Sequence, residues 1–315
     1  MPVANSTRAD ILLVIVTVLA AISWMFSKEA VMLMPPLLFL SLRFLLAGVL
    51  LAILAVPLFG KLTREQVFQA VRVGLVFAAG MSCWIMGLLF GSHVGVGAFL
   101  TSLGVVLVPV FGKLVFGESA PTSTWLALPV AVSGLALLSL SGQSLTGGFD
   151  AGQLFYVAAA TIFAIYFTLN TRAANHRHVT DASGQRTQHE RVPALVLTAI
   201  VMLTVGTATG MLSLALEPWR PTFSNFSMEI AWWILLSAVV GSAARFLLQT
   251  YAQSLSTHSH GVVIMVVEPV WTAIFAAMWF GETMNGMQMA GCGMIFAALL
   301  ISRARALQKA LKSWF

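Results

Sequence analysis

Charged residues are scarce in this chain of 315 residues, since only 9% of them are Asp, Glu, Lys or Arg. A soluble domain has roughly a quarter of its residues charged, so this chain has too few polar side chains to cover a surface that faces water. Hydrophobic residues make up 59% of the chain and fall in long runs. Runs of about 20 residues match the thickness of a bilayer core when they are helical. The composition therefore excludes a soluble globular protein and predicts an all-α integral membrane protein whose spans contact the lipid bilayer.

Cysteine is also rare, and the motifs of several enzyme classes are missing. Cys83 and Cys292 both lie inside apolar runs, so we interpret them as small packing residues and not as a disulfide. The sequence contains no Walker A motif, dinucleotide-binding glycine fingerprint, HExxH or GxSxG, and therefore offers no recognised site for ATP or for hydrolysis. We expect no enzymatic activity, no cofactor and no metal site.

The apolar runs predict ten transmembrane spans, most of them separated by short polar or Gly/Pro-rich turns. The spans cover residues 10–29, 35–57, 67–90, 95–116, 123–141, 152–172, 193–215, 229–252, 261–280 and 285–303. No small-residue cleavage pattern follows the first run, so we expect it to be retained as a span and not removed as a signal peptide.

The lysines and arginines lie mostly on one side of these spans. With the N-terminus in the cytoplasm, thirteen of them lie at the inner face and only Lys28 and Arg220 at the outer face. Cytoplasmic loops are enriched in lysine and arginine, so we expect a multi-pass protein of the inner (plasma) membrane. Both termini, including the basic tail 305–315, are then cytoplasmic. Because loop charges explain the net charge of +6, that charge does not indicate nucleic-acid binding.

An internal repeat relates the two parts of the chain. A shift of 164 residues places one Phe-Gly-Glu sequence, at 116–118, on a second one at 280–282, and also aligns Gly97 with Gly261. The two copies predict that the chain consists of two five-helix halves.

The number of spans in each half determines how the halves are threaded. We predict a first repeat at 1–141, a linker at 142–151 and a second repeat at 152–304, with Gly134 and Gly293 deep in the last span of each half. Because five is an odd number, the second repeat enters the membrane from the opposite side. Inverted repeats are typical of transporters, which bind their substrates near the midplane where the halves meet. We therefore expect a central cavity.

The ninth span contains a carboxylate and a proline, which are unfavourable in a membrane helix unless something compensates for them. A charge near the bilayer centre costs about 2.5–3.5 kcal/mol even on the lenient insertion scale. Arg245 and Glu268 each lie about two turns above the inner face, since a helix rises about 1.5 Å per residue, and we predict that they pair. The pair is either structural or part of gating and coupling. Pro269 frees a backbone carbonyl and predicts a bend beside a cavity, and Pro109 in the fourth span is a second candidate.

Polar and aromatic side chains are interleaved in the fourth and ninth spans. Thr101 and Ser102 lie at mid-depth beside Phe99. Trp271, Thr272 and Phe275 share a face with the ninth-span carboxylate, at spacings of three and four residues. Such a surface suits an amphipathic organic ligand. The alternative is helix packing, in which the hydroxyls bond to their own backbone.

Arg43, the glycines and the histidines allow several interpretations. Arg43 either snorkels outward, pairs with Glu29 or lines the pathway. The glycines at 87, 91 and 95 favour close helix packing, and Gly91 and Gly95 are also candidate hinge residues. The histidines of the loop 172–192 lack the spacing of a metal site. His258 and His260 belong either to a plain interfacial turn or to proton coupling, which makes protons a candidate coupling ion.

The chain resembles the EamA-type members of the drug/metabolite transporter superfamily. Four stretches carry the likeness: FSKEAVMLMPPLLFLSLRFLLAG (26–48), GVGAFLTSLGVVLVPVFGKLVFGE (95–118), THSHGVVIMVVEPVWTAIFAAMWFGE (257–282) and the glycine-bearing runs after each Gly-Glu. The Trp-Gly-Ser frequent in the first helix of the family is absent. The resemblance implies a basket of ten helices, with helices three, four, eight and nine lining a central cavity. It also implies that the glutamates of the Gly-Glu pairs are helix ends that cap neighbouring segments and not substrate ligands.

The expected function is a secondary transporter that exports a small amphipathic metabolite, such as an amino acid, by alternating access. The alternative substrate is a lipophilic organic cation, which Trp24, Trp84 and Trp271 would bind by cation–π contacts with Glu268 as counter-charge. A receptor or assembly subunit without transport is a further class. A monomer and a dimer both remain open.

Overall fold

A computed structural model of the chain describes residues 3–60, 62–117, 122–140, 150–174, 177–180, 186–189, 192–249, 266–302 and 304. Several predicted features lie outside these residues. They are Glu118, linker residues 142–149, His258, His260, Gly261 and the tail 305–315.

Helices make up nearly all of the described chain. Their bounds are α1 (Val3–Leu33), α2 (Pro36–Phe59), α3 (Arg64–Phe90), α4 (Val94–Phe116), α5 (Thr122–Leu140), α6 (Ala151–Ala174), α7 (Ala194–Leu216), α8 (Arg220–Ser224), α9 (Met228–Ala238), α10 (Glu268–Phe280) and α11 (Gly286–Ser302). A π-helix, Val239–Ala244, continues α9, and this span extends to Gln249.

The lengths and compositions of these helices confirm the predicted all-α membrane fold. Among the described residues, seven helical segments are long and apolar enough to cross a bilayer. Two shorter apolar helices lie at Thr122–Leu138 and Gly286–Ser302. Each of the ten predicted spans overlaps one of these helices, and α8 is an additional short helix. Large apolar side chains such as Leu114, Met228 and Met278 are exposed on the outside of the bundle, as lipid contact requires.

Three local features differ from the predicted spans and loops. The loop 172–192 contains a hairpin, in which β1 (Arg177–Thr180) pairs antiparallel with β2 (Arg186–His189). Strands of four residues are too short to produce a clear alternation of apolar and polar residues, so the sequence did not reveal them. The short helix α8 starts with Pro221 in its first turn. In the described part of the ninth span, a turn at 266–267 precedes the helix that starts at Glu268.

Local chemistry explains where several helices begin and end. Thr63 and Gln66 form a capping box at the start of α3, and Pro36 occupies the first turn of α2. Both Phe-Gly-Glu sequences end a helix with a left-handed glycine, at φ 67° for Gly117 and 66° for Gly281. Only glycine adopts this conformation without strain. The prediction that both sequences mark helix ends is confirmed.

The helices pack in pairs that bring the predicted halves together. Helix α2 packs against α7, α3 against α6, α4 against both α6 and α10, and α5 against α11. Helix α1 contacts α9 and α10. Extensive contacts therefore run between residues 3–140 and residues 150–302, which form one bundle.

Candidate functional site

Arg245 and Glu268 form the predicted ion pair. Arg245 Nη2 donates to Glu268 Oε2 at 3.3 Å, and each side chain is 21% exposed. Arg245 directly follows the π-helix, and Glu268 is the first residue of α10. The pair therefore joins the C-terminal part of the eighth span to the ninth span while part of each side chain remains accessible.

The start of α10 at Glu268 explains why a glutamate and a proline occur together in this span. Pro269 lies in the first turn, where a helix leaves its N–H groups without intrahelical partners, so the missing proline N–H costs nothing. The helix dipole favours the Glu268 carboxylate at the same end. The predicted bend of the span at Pro269 stays a prediction, because residues 250–265 lie outside the described part of the chain. Pro109 does lie inside a continuous helix, α4.

Arg43 lies in a cage of neutral hydrogen-bond acceptors. It is only 3% exposed. It donates to Ser242 Oγ at 2.8 Å, Ser27 Oγ at 2.7 Å, Ser23 Oγ at 2.8 Å and the Gly241 carbonyl at 3.3 Å. The serines come from α1 and the π-helix, so Arg43 on α2 joins three elements.

Two of the three interpretations of Arg43 are wrong. The side chain does not snorkel outward, because it is buried. It does not pair with Glu29, because the Glu29 carboxylate accepts from Trp279 Nε1 at 2.9 Å. The third interpretation, that Arg43 lines the pathway, stays a prediction.

The π-helix shapes this cage. A side chain at Gly241 would collide with Ser23 Oγ, and its Cβ would lie 3.4 Å from Arg43 Nη2. π-helical segments are rare and often lie at functional sites. Sequence reasoning missed Ser23, Ser27 and Ser242. The spacing of four between the first two, which places them on one face of α1, was the available signal.

The candidate hydroxyls bond to their own helices. Thr101 Oγ1 donates to the Gly97 carbonyl at 2.8 Å, and Ser102 Oγ to the Phe99 carbonyl at 2.6 Å. The buried Thr272 donates to the Glu268 carbonyl at 3.1 Å. The alternative of helix packing predicts this geometry, in which the hydroxyl groups donate to their own backbone. Each hydroxyl oxygen can still accept a hydrogen bond.

The candidate aromatic side chains fall into two separate contacts. Trp24 and Trp84 are buried and meet edge to face, with ring centroids 4.9 Å apart, and Trp24 also meets Tyr156 at 6.0 Å. Trp271 and Phe275 stack at 6.3 Å and are half-buried. Phe99 is buried among the core residues.

Tyr156, which sequence reasoning missed, explains most of the glycines around the α3–α4 turn. A Cβ at Gly87 would lie 2.7 Å from Tyr156 Cδ1, one at Gly91 would lie 3.1 Å from its Cε2, and one at Gly97 would collide with the ring. A Cβ at Gly95 would lie 2.6 Å from Met284 Cε. The packing interpretation of these glycines is confirmed, and a hinge role for Gly91 and Gly95 stays a prediction.

Polar contacts hold the α3–α4 turn against α1 and α10. Glu282 accepts from Val94 N at 2.7 Å and from Gly95 N at 3.1 Å. Lys28 donates to the Leu88 carbonyl at 2.7 Å. The prediction that the Gly-Glu glutamates cap neighbouring segments is confirmed for Glu282. Glu217, which the sequence did not single out, caps α2 in the same way at Leu37 and Leu38.

A small polar pocket adjoins the same turn. Its volume is about 210 Å³, and its walls include His93, Asp150, Gln153 and Tyr156. His93 Nδ1 and Gln153 Oε1 have no hydrogen-bond partner among the described residues. That volume includes space open to solvent, and the remainder has room for about one water molecule, so this pocket is too small for a typical organic metabolite.

We expect Glu282→Ala to destabilise the protein by about 1–3 kcal/mol, because two backbone N–H groups lose a charged acceptor. Titration of the purified protein with sodium dodecyl sulfate measures the free energy of unfolding. The control is Glu229→Ala, which removes an exposed first-turn glutamate from α9 and should cost at most about 1 kcal/mol. Equal losses for the two variants would contradict a specific role of Glu282 at α4.

The two cysteines do not form a disulfide. Cys83 and Cys292 are free thiols, as the packing interpretation requires. Within the described part of the chain, no group of three or more His, Cys, Asp or Glu side chains is arranged to hold a metal ion.

Comparison with known proteins identifies related sequences and a related fold. The sequence profile of the EamA-like transporter family matches residues 7–140 and 150–304. A protein of known crystal structure superposes with a TM-score of 0.62 and 17% sequence identity, over 96% of this chain and 99% of its own. At that identity the likeness shows a shared fold alone.

Two curated relatives are named only as transporters. An "Uncharacterized transporter" of Archaeoglobus fulgidus is 26% identical over 199 residues, which are 63% of this chain and 62% of the relative. The "Uncharacterized transporter YvbV" of Bacillus subtilis is 29% identical over 140 residues, which are 43% of this chain and 45% of the relative. The matched region thus spans less than two thirds of either relative.

Proposed function

We propose a specific activity from the premise that this chain belongs to the EamA-like transporter family and is a multi-pass membrane transporter. The activity is export of a small amphipathic metabolite, such as an amino acid, by a secondary mechanism of alternating access. The protein acts in the inner (plasma) membrane, with both termini in the cytoplasm.

The observation that carries this proposal is the Arg245–Glu268 pair. Both side chains lie within spans, yet each remains 21% exposed. Charged groups at membrane depth are expensive, and they mark substrate or ion pathways when they face a polar interior. The pair therefore supports a hydrated path through the bundle in which a polar substrate group finds partners.

The arrangement of the helices supports two halves that move against each other. The family profile matches two segments, at 7–140 and 150–304, which nearly coincide with the predicted repeats. Helices at equivalent positions of the two repeats pack on each other, namely α2 on α7, α4 on α10 and α5 on α11. This is the pattern that a two-fold axis between inverted repeats would produce. Rocking about such an axis is the usual mechanism in transporters built from inverted repeats.

The contacts at the α3–α4 turn fit a state closed on one side. Glu282 and Trp279 of the second half bond to α4 and Glu29 of the first half. With the N-terminus cytoplasmic, this end of the bundle faces outward. We propose that these bonds form the outer closure and that Gly91 and Gly95 allow it to open.

The second candidate function is export of lipophilic organic cations. Trp271 and Phe275 favour it, because they are half-buried and stack at 6.3 Å, and a cation could bind against their faces near Glu268. Trp24 and Trp84 contribute less, since each ring is packed against the other.

Transport by the purified full-length protein in proteoliposomes tests both functions. One experiment measures uptake of a ¹⁴C-labelled mixture of the twenty amino acids into vesicles preloaded with the unlabelled mixture. A parallel one uses labelled tetraphenylphosphonium. We expect saturable, protein-dependent exchange of amino acids. Exchange of tetraphenylphosphonium alone would favour the second function, and no exchange of either would contradict transport of both classes. Repeating the measurement with an imposed pH gradient tests protons as the coupling ion.

A further inference from the structure

The described interior of the bundle contains one more positive than negative side chain. Arg43 and Arg245 are the cations, and Glu268 is the only carboxylate among the described residues at that depth. The other described charged side chains lie near helix ends or on the surface, such as Lys28 and Glu282 at the α3–α4 turn and the exposed Arg72. A single uncompensated charge inside a membrane bundle is unfavourable unless a further group neutralises it.

Arg43 is the cation without a counter-charge. Four of the five N–H groups of a guanidinium are used here, and all four donate to neutral oxygens of Ser23, Ser27, Gly241 and Ser242. No described carboxylate contacts it. The cage satisfies hydrogen bonding and fixes the position of the guanidinium, but it leaves the charge in place.

Arg245 lies one helical turn after Gly241, whose carbonyl accepts from Arg43 Nη2, so the two arginines approach the same part of the eighth span. Only one of the contacts of Arg245 is ionic, a single bond of 3.3 Å to Glu268. Its Nε–H is buried and has no hydrogen-bond partner among the described residues. The space near both arginines is thus electropositive and retains unused donors.

We propose that Arg43 and Arg245 together bind the carboxylate of the substrate. This inference rests on the proposed transport function and narrows its substrate class to molecules with one carboxylate, either zwitterionic amino acids or simple monocarboxylates. Guanidinium groups bind carboxylates by directed, charge-assisted hydrogen bonds. The bound carboxylate brings the summed charge of Arg43, Arg245 and Glu268 to zero, and its negative charge lies between the two guanidinium groups.

The same arrangement disfavours a cationic substrate. A lipophilic cation would add a second uncompensated positive charge beside two arginines, while Glu268 is already engaged. The serine hydroxyls can rotate to donate or accept, so they can hold Arg43 both before and after an anion arrives. Arg43 and Arg245 are therefore assigned as residues that determine substrate specificity.

Competition in proteoliposomes tests the carboxylate requirement. Exchange of the labelled amino acid mixture is measured in the presence of three competitors of similar shape: L-leucine, L-leucinamide and 4-methylpentanoate. Leucinamide lacks the carboxylate and 4-methylpentanoate lacks the amine. We expect the two carboxylates to inhibit at concentrations at least about tenfold lower than the amide, a difference of about 1.4 kcal/mol in affinity. Equal inhibition by all three, or by the amide alone, overturns the inference.

The outcomes separate this inference from the proposed function. Exchange of tetraphenylphosphonium without exchange of carboxylates overturns the carboxylate site and leaves a transporter. Absence of exchange for every probe overturns both.

Variants of Arg43 test whether this residue causes the preference for carboxylates over the amide. The readout is the ratio of inhibition by leucine to inhibition by leucinamide, which does not depend on how much protein is active. Arg43→Gln should lower that ratio, because only Arg245 would remain to bind the carboxylate, and Arg43→Lys should lower it less because the charge remains. Where Arg43→Gln does not fold, Ser242→Ala, which removes one support of the guanidinium, should lower the ratio. The control Arg72→Gln removes an exposed arginine and should leave the ratio unchanged. An unchanged ratio in folded Arg43→Gln overturns the assignment.

Discussion

Replacing Glu268 by glutamine is expected to reduce transport at least about tenfold, the equivalent of about 1.4 kcal/mol, and to destabilise the fold by about 2–4 kcal/mol. The Arg245 guanidinium would remain at membrane depth without its ionic partner, and an uncompensated charge there costs more than the pair itself contributes. Exchange in proteoliposomes measures the first effect, and titration with sodium dodecyl sulfate measures the second.

The double variant Arg245→Gln/Glu268→Gln separates the two effects. Because neither member of the pair is charged any longer, this variant should regain most of the lost stability while transport stays low. The matched control for loss of a carboxylate is Glu229→Gln, whose side chain is exposed at the start of α9 and which should leave transport unchanged. Full transport in the double variant would show that the pair serves folding alone, and would remove the main support for a pathway beside Glu268.

Replacing Gly291 by valine is expected to destabilise the protein by about 2–4 kcal/mol, because the added side chain would overpack a close helix crossing. A Cβ at Gly291 would lie 2.8 Å from Leu138 Cγ and 2.9 Å from the Gly134 carbonyl oxygen. Backbone atoms cannot move aside as a flexible side chain can. The same titration with sodium dodecyl sulfate measures the effect.

Gly293 provides a control two residues away on the same helix, α11. A Cβ there meets nothing within 4 Å, so Gly293→Ala should change stability between zero and a gain of about 1 kcal/mol from its better helix propensity. Comparable losses of stability at Gly291 and Gly293 would contradict this explanation, because the close crossing with α5 involves only Gly291. Gly134 and Gly293 lie inside the last helix of each half, as predicted, and Gly134 approaches Gly291 at the crossing of the two helices.

Much of the site could be predicted from the sequence, because the depth of a residue in the membrane follows from its position along a membrane-spanning helix. The depths of Arg245 and Glu268 predicted their pairing, and the repeated Phe-Gly-Glu predicted two helix ends, one of which caps α4 through Glu282. The position of Pro269 in the first turn of α10 could not be predicted, because no pattern in the sequence shows that this helix starts at Glu268. In the first turn of a helix a proline costs nothing, whereas inside a helix it removes a backbone hydrogen bond.

The sequence by itself determined the class of this protein. Its low charge, its long apolar runs and its repeat are sufficient for a helical membrane protein with charges at a few defined depths, because an apolar run of about 20 residues crosses hydrocarbon as a helix that satisfies its own backbone hydrogen bonds. Only the tertiary structure decided the surroundings of those charges. Arg43 meets serines that lie 16, 20 and 199 residues away along the chain, and Tyr156 fills the space left by distant glycines. The apolar faces of a membrane helix are nearly equivalent toward lipid, so hydrophobicity does not determine which faces meet. Close packing of side chains between the spans determines it.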